Sequence, residues 1–273
     1  MKKTVVRIAV MLIALMMGCP AAMAAEIAVG KRDLGINESL DKNVSNILIL
    51  LQDEGRTDTL MIASINSRTG RSVMTRIDCA LTVHVPEVGD VALSDVYELG
   101  NRKSKGFLAA RTLNQLLGLN INTYVALDIT RLPELAAAVG TLNMQFDAEE
   151  AAALGTWEGI NELTGDAVLA YVRLKLESDK PTRSRGYDAL MQLLYQGLHS
   201  GDLMGMMGLG KKLLGSMDTN LNPMAAVTMV SAVQSGTDRR EVFLPMAEHI
   251  LTNEPLTADA QAMTGLLHKE IYE

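Results

Sequence analysis

The chain has 273 residues, a formal net charge of −7, and 48% apolar but only 4% aromatic residues. Such acidity excludes a general polyanion binder, so nucleic acid is not an expected partner and any anion site must be a local cluster of arginines. Two cysteines, Cys19 and Cys79, and four scattered histidines, His84, His199, His249 and His268, show no metal-ligand spacing, which argues against zinc.

The chain opens MKKTVVRIAVMLIALMMGCPAAMAAE. Lys2, Lys3 and Arg7 precede an unbroken apolar run over 8–17, and Ala22-Met23-Ala24 resembles a cleavage site. The run is shorter than the roughly 20 residues a bilayer needs, so residues 1–25 read as a secretory signal peptide. A lipidated Cys19, after Met16-Met17-Gly18, and a retained N-terminal membrane anchor are the alternatives. Each places the protein outside the cytoplasm, secreted or held at the cell envelope. Cleavage after Ala25 moves the net charge from −7 to −10 and leaves Cys79 alone, so no intrachain disulfide can form. Residues 26–44 are mixed and polar, a linker or a first helix.

"NILILLQD" (46–53) is an apolar run ending in acid, the pattern of a buried strand. Two apolar runs over 59–77 flank Asn66-Ser67-Arg68-Thr69-Gly70, which is hairpin chemistry. "LTVHVP" (81–86) alternates at period two. "GFLAARTLNQLLGL" (106–119) has helical spacing and stops at Gly118. A strand follows over 122–129, then a short helix over 130–142 with Thr130 as N-cap and Gly140 as stop. "MQFD" (144–147) suggests another strand. Residues 164–176 and 185–199 read as helices, residues 201–235 as a Gly- and Met-rich stretch with helical pieces, 241–245 as a late strand and 257–272 as a final helix. Strands and helices interleave, which predicts an α/β fold with a mixed sheet covered by helices.

Three features suit an anion. "DEGRTDT" (53–59) follows a strand, and Asp53 and Asp58 offer hard oxygen ligands of the kind that hold magnesium against phosphate oxygens; the alternative is a charged turn. Arg173 shares a helix face with Leu169 and Ala170, so its guanidinium projects from the edge of a packed surface; the alternative is an arginine reaching solvent at a helix end. "KPTRSR" puts Arg183 and Arg185 just before a helix, whose free N–H groups favour a pyrophosphate; the alternative is a solvated basic loop. "GMMGLGKKL" (205–213) imitates a phosphate-binding loop, but Lys212 stands where Ser or Thr must hold magnesium and no strand precedes it.

Over residues 45–255 the chain resembles the LytR-CpsA-Psr family of cell-wall proteins, collinearly. "NILILLQD…RTDTLMIASIN", "LLGLNINTYVALDITRLPELAAAVGTLNMQFD" and "LTGDAVLAYVRLK" match its opening strand, its central strand–helix–strand unit and its arginine-ended helical signature, and Arg185 matches the second arginine of its Arg-x-x-Arg-Gln motif. The resemblance implies a three-layer α/β/α fold in which 45–255 is the catalytic or binding domain and 256–273 a C-terminal helix. It implies a polyprenyl-pyrophosphate-linked polysaccharide as ligand, an apolar tunnel for the lipid, a place at the membrane surface, and magnesium-dependent phosphotransfer to peptidoglycan. Asp53 and Asp58 would hold the magnesium, and Arg173, Arg183 and Arg185 the pyrophosphate. The sequence also departs from the family. Ile77-Asp78-Cys79-Ala80 aligns with an Ile-Pro-Arg-Asp segment, so Cys79 and Ala80 replace the arginine and the acid, with Arg76 and Asp78 close by as substitutes. Thr182 replaces the first arginine of the later motif and Gly186 its glutamine. A non-catalytic member of the same fold is therefore a second reading. A structural envelope protein whose arginines pair with Glu177 or Asp179 is a third.

Overall fold

The computed structural model describes residues 27–179, 184–199, 217–221 and 238–273. In chain order these form β1 (Val44–Asp53), β2 (Arg56–Asn66), β3 (Arg71–Ile77), β4 (Thr82–Val85), β5 (Gly89–Ala92), α1 (Leu93–Leu99), α2 (Lys105–Leu117), β6 (Ile121–Asp128), α3 (Leu132–Val139), β7 (Leu142–Phe146), α4 (Ala148–Leu154), β8 (Gly159–Leu163), α5 (Asp166–Arg173), α6 (Arg185–His199), β9 (Asp218–Thr219), β10 (Asp238–Leu244), β11 (Ile250–Asn253), β12 (Leu256–Ala258) and α7 (Ala260–Tyr272).

Six strands make one mixed sheet in the order β10-β3-β2-β1-β6-β9. The pairs β1–β2, β2–β3 and β6–β9 are antiparallel, whereas β1–β6 and β3–β10 are parallel. β1 lies in the interior of the sheet with helices over both of its faces, and this explains its nearly continuous apolar run. Leu48 and Leu50 face one core, shared with Leu108 and Leu113 of α2, Val96 of α1 and Met263 and Leu267 of α7. Leu51 faces the other, shared with Leu132 of α3, Val168 and Tyr171 of α5 and Ala189 of α6. The sheet is thus a middle layer between two helical layers, as the resemblance implies.

Several boundaries differ from expectation. The segment 26–44 is not a free linker, nor a first helix beyond a three-residue 3-10 turn at Lys31–Asp33. Ile27 bridges to Gly100, and Val29 and the fully buried Leu34 join the first core. Thr130 is not an N-cap: Asp128 accepts from the Thr130 amide at 2.9 Å and from its hydroxyl at 2.6 Å, and α3 starts after this turn. The helix expected over 164–176 ends at Arg173, because Leu174 takes an extended conformation. The final helix starts at Ala260, and the short hairpin β11–β12 precedes it. The signal segment 1–25, Arg183 and the Gly-rich stretch 205–213 lie outside the described residues.

Candidate functional site

Asp53 ends β1 and pairs in register with Arg56 at the start of β2, so only two residues, Glu54 and Gly55, make the turn. Both have positive φ (50° and 80°), the geometry that lets a two-residue hairpin follow the strand twist. The turn sets Asp53 and Asp58 on one cleft of about 440 Å³, whose far wall is Cys79 and Ala80 after β3 and Ser94 on α1. A smaller cavity of about 140 Å³ shares Asp58 and Cys79 with it and adds Thr59, Arg76, Asp78, Ser184 and Phe243.

The end of α5 and the segment after it supply cations to these carboxylates. Arg173 donates from Nη2 to Asp53 Oδ1 at 2.5 Å and from Nε to Asp53 Oδ2 at 3.0 Å, and lies 3.7 Å from Glu54. The hydrogen bonds to Asp53 outweigh partial desolvation and raise the guanidinium above its ordinary pKa. Beyond the helix, the extended Leu174 carries the chain to Lys175, whose Nζ reaches Asp58 Oδ1 at 2.7 Å. Arg56 turns to α1, donating to Asp95 at 2.9 Å and to Ser94 at 2.8 Å.

In the smaller cavity the Arg76 guanidinium lies 4.4 Å from the centre of the Tyr187 ring and 5.8 Å from that of Phe243, within cation–π range of both. The Tyr187 hydroxyl donates to Glu241 at 2.6 Å. Burial first, and then this carboxylate, push its pKa upward. Asp78 accepts from the Ala80 amide at 2.8 Å. Burial first, and then the charges of Asp58 and Asp78, push the Cys79 thiol up to about 12.

Arg185 lies apart from both cavities. Its side chain is 3% exposed and donates to Glu150 at 2.8 Å, to both oxygens of Asp179 at 2.7 and 2.8 Å, and to the Leu174 carbonyl at 2.9 Å. Burial alone would lower its pKa; the Asp179 and Glu150 pairs more than offset that. Glu150 is 1% exposed, and its other oxygen closes a capping box with Asp147 at the start of α4. Arg185 therefore ties α4, the end of α5 and the start of α6 together. Next to it, Gly186 allows α6 to press on β2: a Cβ there would stand 2.6 Å from Thr59 Oγ1 and 3.0 Å from Leu51 Cδ1.

The structure thus brings Asp53 and Asp58 to the larger cleft, with Arg173 paired to Asp53 but not part of the lining, and Asp58, Arg76 and Asp78 to the smaller one. Sequence reasoning passed over Lys175, Arg56, Ser94 and Ser184 as site residues, and Glu150 as the partner of Arg185. Lys175 carried a usable signal, two residues beyond Arg173 on the same segment. Both cavities mix charged side chains with apolar surface, Cys79 and Ala80 at the larger and Leu60, Ile77 and Phe243 at the smaller.

The donor set can be weighed against magnesium. Among the described residues, no group of three or more His, Cys, Asp or Glu side chains is arranged to hold a metal ion. Asp53 and Asp58 are two carboxylates on one cleft, and that fits magnesium, which is commonly held by one or two carboxylates together with water and phosphate oxygens.

A curated relative, the polyisoprenyl-teichoic acid–peptidoglycan teichoic acid transferase TagU of Oceanobacillus iheyensis, is 25% identical over 150 residues, covering 51% of this chain and 46% of that one. The match thus spans less than half of that relative's length. The solved structure of TagT bound to LI-WTA superposes with a TM-score of 0.70 at 16% identity, covering 90% of this chain and 99% of that one. The family protein YwtF (TagT) with bound octaprenyl pyrophosphate lipid gives 0.65 at 17%, with the same coverages. These two likenesses show the fold, a mixed sheet between helices. The LytR_cpsA_psr family model matches residues 20–260, most of the length, and the chain belongs to the LytR-CpsA-Psr family.

Proposed function

We propose that this protein binds a polyprenyl-pyrophosphate-linked glycopolymer outside the cytoplasmic membrane, at the membrane surface, and moves the polymer with its phosphate onto a peptidoglycan hydroxyl. The observation that carries the reading is the pairing of Arg173 with Asp53 and of Lys175 with Asp58, two carboxylates that line one cleft. The names of the teichoic acid transferase relative and of the lipid-bound structure support it.

At rest each cation is matched to a carboxylate. A pyrophosphate offers Arg173 and Lys175 a stronger acceptor, and charge-assisted bonds to it exchange for those to Asp53 and Asp58. The acceptor hydroxyl forms a new P–O bond at the phosphorus that carries the polymer. The bond from that phosphorus to the bridging oxygen breaks, and polyprenyl phosphate leaves with the electron pair. Asp78, in the cavity beside Asp58, takes the hydroxyl proton, and Arg76 neutralises charge there. Arg183 would add a further cation by resemblance. Magnesium, held by Asp53 and Asp58, would supply additional neutralisation of phosphate charge. Fixed charge aimed at the transferring phosphoryl group is the main lever available to a protein in such a reaction.

The second reading, a binder without turnover, draws on Cys79 and Ala80, which line the cleft with a neutral thiol and a methyl group. Mass spectrometry of lipid extracts, after incubation with polyprenyl pyrophosphate, tests both. Retention by the native chain, reduced at least tenfold in the R173Q/K175Q variant, is expected; no retention would overturn both readings. Transfer to peptidoglycan fragments with magnesium, abolished by Asp58→Ala, is expected of the enzyme. Retention with no transfer under any condition would leave the binder.

A further inference from the structure

Trp157 is the chain's single tryptophan, and it stands 66% exposed beside Ile160, which is 65% exposed. This exposure is built by the local structure. The indole Nε1 donates to the Ile160 carbonyl at 3.3 Å, which fixes the ring against the start of β8. Buried Asn161 holds the loop from within: its amide donates to the Trp157 and Gly159 carbonyls at 2.8 and 3.1 Å, and Thr156 donates to its oxygen at 2.5 Å. Gly155 and Gly159, with φ of 67° and 117°, make the bends on either side.

Trp157 stands two residues before β8, held to the Ile160 carbonyl, at the entry of the β7–β8 ribbon. Along each strand the burial alternates, so Asn143 and Gln145 of β7 and Ile160 and Glu162 of β8 all face solvent. The register pairs Asn143 with Glu162 and Gln145 with Ile160, directly across the ribbon. Strand spacing and rise make this patch roughly 5 Å by 7 Å, the scale of one or two sugar rings. No hydrogen bond or ion pair engages the side chains of Asn143, Gln145 or Glu162 among the described residues. An apolar plate flanked by two free amides and a carboxylate matches a pyranose, which has an apolar C–H face and a rim of hydroxyls.

Charge narrows the occupant. Between Arg131 and Arg173 the sequence contains no lysine, arginine or histidine, whereas Asp147, Glu149, Glu158 and Glu162 lie near or on the ribbon. An anionic bilayer or a phosphate-rich polymer is repelled by such a surface. Two exposed apolar side chains also fall well short of the roughly 800 Å² per partner of a standard protein interface.

We propose that this face is a docking site for an uncharged pyranose glycan, stacked on Trp157 and hydrogen-bonded by Asn143, Gln145 and Glu162, separate from the anion cleft. The lone tryptophan reports on it directly. Titrating the full chain with chitotetraose up to about 10 mM, the range in which weak contacts saturate, should shift the emission to the blue and saturate. The N143A/Q145A variant keeps the fluorophore and should bind at least tenfold more weakly. By ligand-observed NMR, W157A should lose binding while retaining polyprenyl pyrophosphate as the native chain does. The proposal is overturned if chitotetraose leaves the emission unchanged, or if W157A binds it as the native chain does. It is equally overturned if the emission shifts with phosphatidylglycerol vesicles, or with protein concentration alongside dimerisation in sedimentation, and not with the glycan. Any of these would leave the reading of the cleft standing, since none touches Arg173 or Asp58.

Discussion

A thiol lining a cleft is ordinarily a reactive group, and Cys79 is set so that it is not. Burial and the charges of Asp58 and Asp78 hold its pKa at about 12. At pH 8 roughly one molecule in 10⁴ would carry the thiolate, against about a quarter for a free cysteine near 8.5. Iodoacetamide should therefore alkylate Cys79 at least a hundredfold more slowly in the native protein than in the unfolded chain, as read by mass spectrometry of its peptide. The sign also sets a stability trend: the unfolded thiol ionises first, so Cys79 removes stability as pH rises above its ordinary value, and Cys79→Ala should flatten that loss. Arg173 and Arg185 teach a related lesson. The sequence marks both as cations at packed edges but does not say what meets them. Asp53 lies 120 positions from Arg173 and Glu150 lies 35 from Arg185, separations over which spacing carries no information. Asp179, six residues from Arg185, was within local reach, and the structural reading of the arginines had named it.

At the scale of elements, the close approach of α6 to β2 rests on Gly186. Gly186→Ala would push a methyl group into Thr59 and Leu51, and Thr59 is pinned by its contact with the Ser184 hydroxyl at 3.0 Å. Overpacking of this kind costs about 1–3 kcal/mol, so the urea midpoint should fall with an unchanged slope. If the midpoint holds, the helix has room to retreat. Long apolar runs made β1, β2, β6 and α2 readable from sequence, because a strand or helix facing a core must show that periodicity. The shorter pieces were harder to see. α4 is short and buries only Glu150 and Ala151, too few to show a periodic face, although Asp147 followed three residues later by Glu150 is a capping-box signal that marks its start. α5 looked longer than it is because the apolar pattern runs on through Leu174 and Leu176 after the backbone has left the helix. The leading segment looked like a linker because its three core contacts, Ile27, Val29 and Leu34, are spaced too irregularly to advertise a buried face.

Across the whole molecule, the sheet separates two apolar cores, and an ionic network ties the final helix to its border. Arg71 donates to Asp238 at 2.6 Å and to the Glu270 carbonyl at 3.1 Å, while Arg240 bridges Asp238 and the Glu270 carboxylate. Hydrogen bonds from Arg240 first and Arg71 second hold Asp238 below the usual carboxylate range. A lowered native pKa gives stability that is complete above the unfolded value and is lost as pH falls through the native one. Asp238→Asn should therefore weaken the fold most at neutral pH, and its difference from the native chain should close as pH drops below about 4. Denaturant titrations at several pH values would show this, and a constant difference would place the effect elsewhere. The order of the strands has one more consequence. One border of the sheet is β10, which opens with Asp238, Arg239, Arg240 and Glu241, and the other is the two-residue β9. Among the described residues, a foreign strand seeking backbone partners at the first border meets a row of ions, which resists the edge-to-edge growth that leads to aggregates.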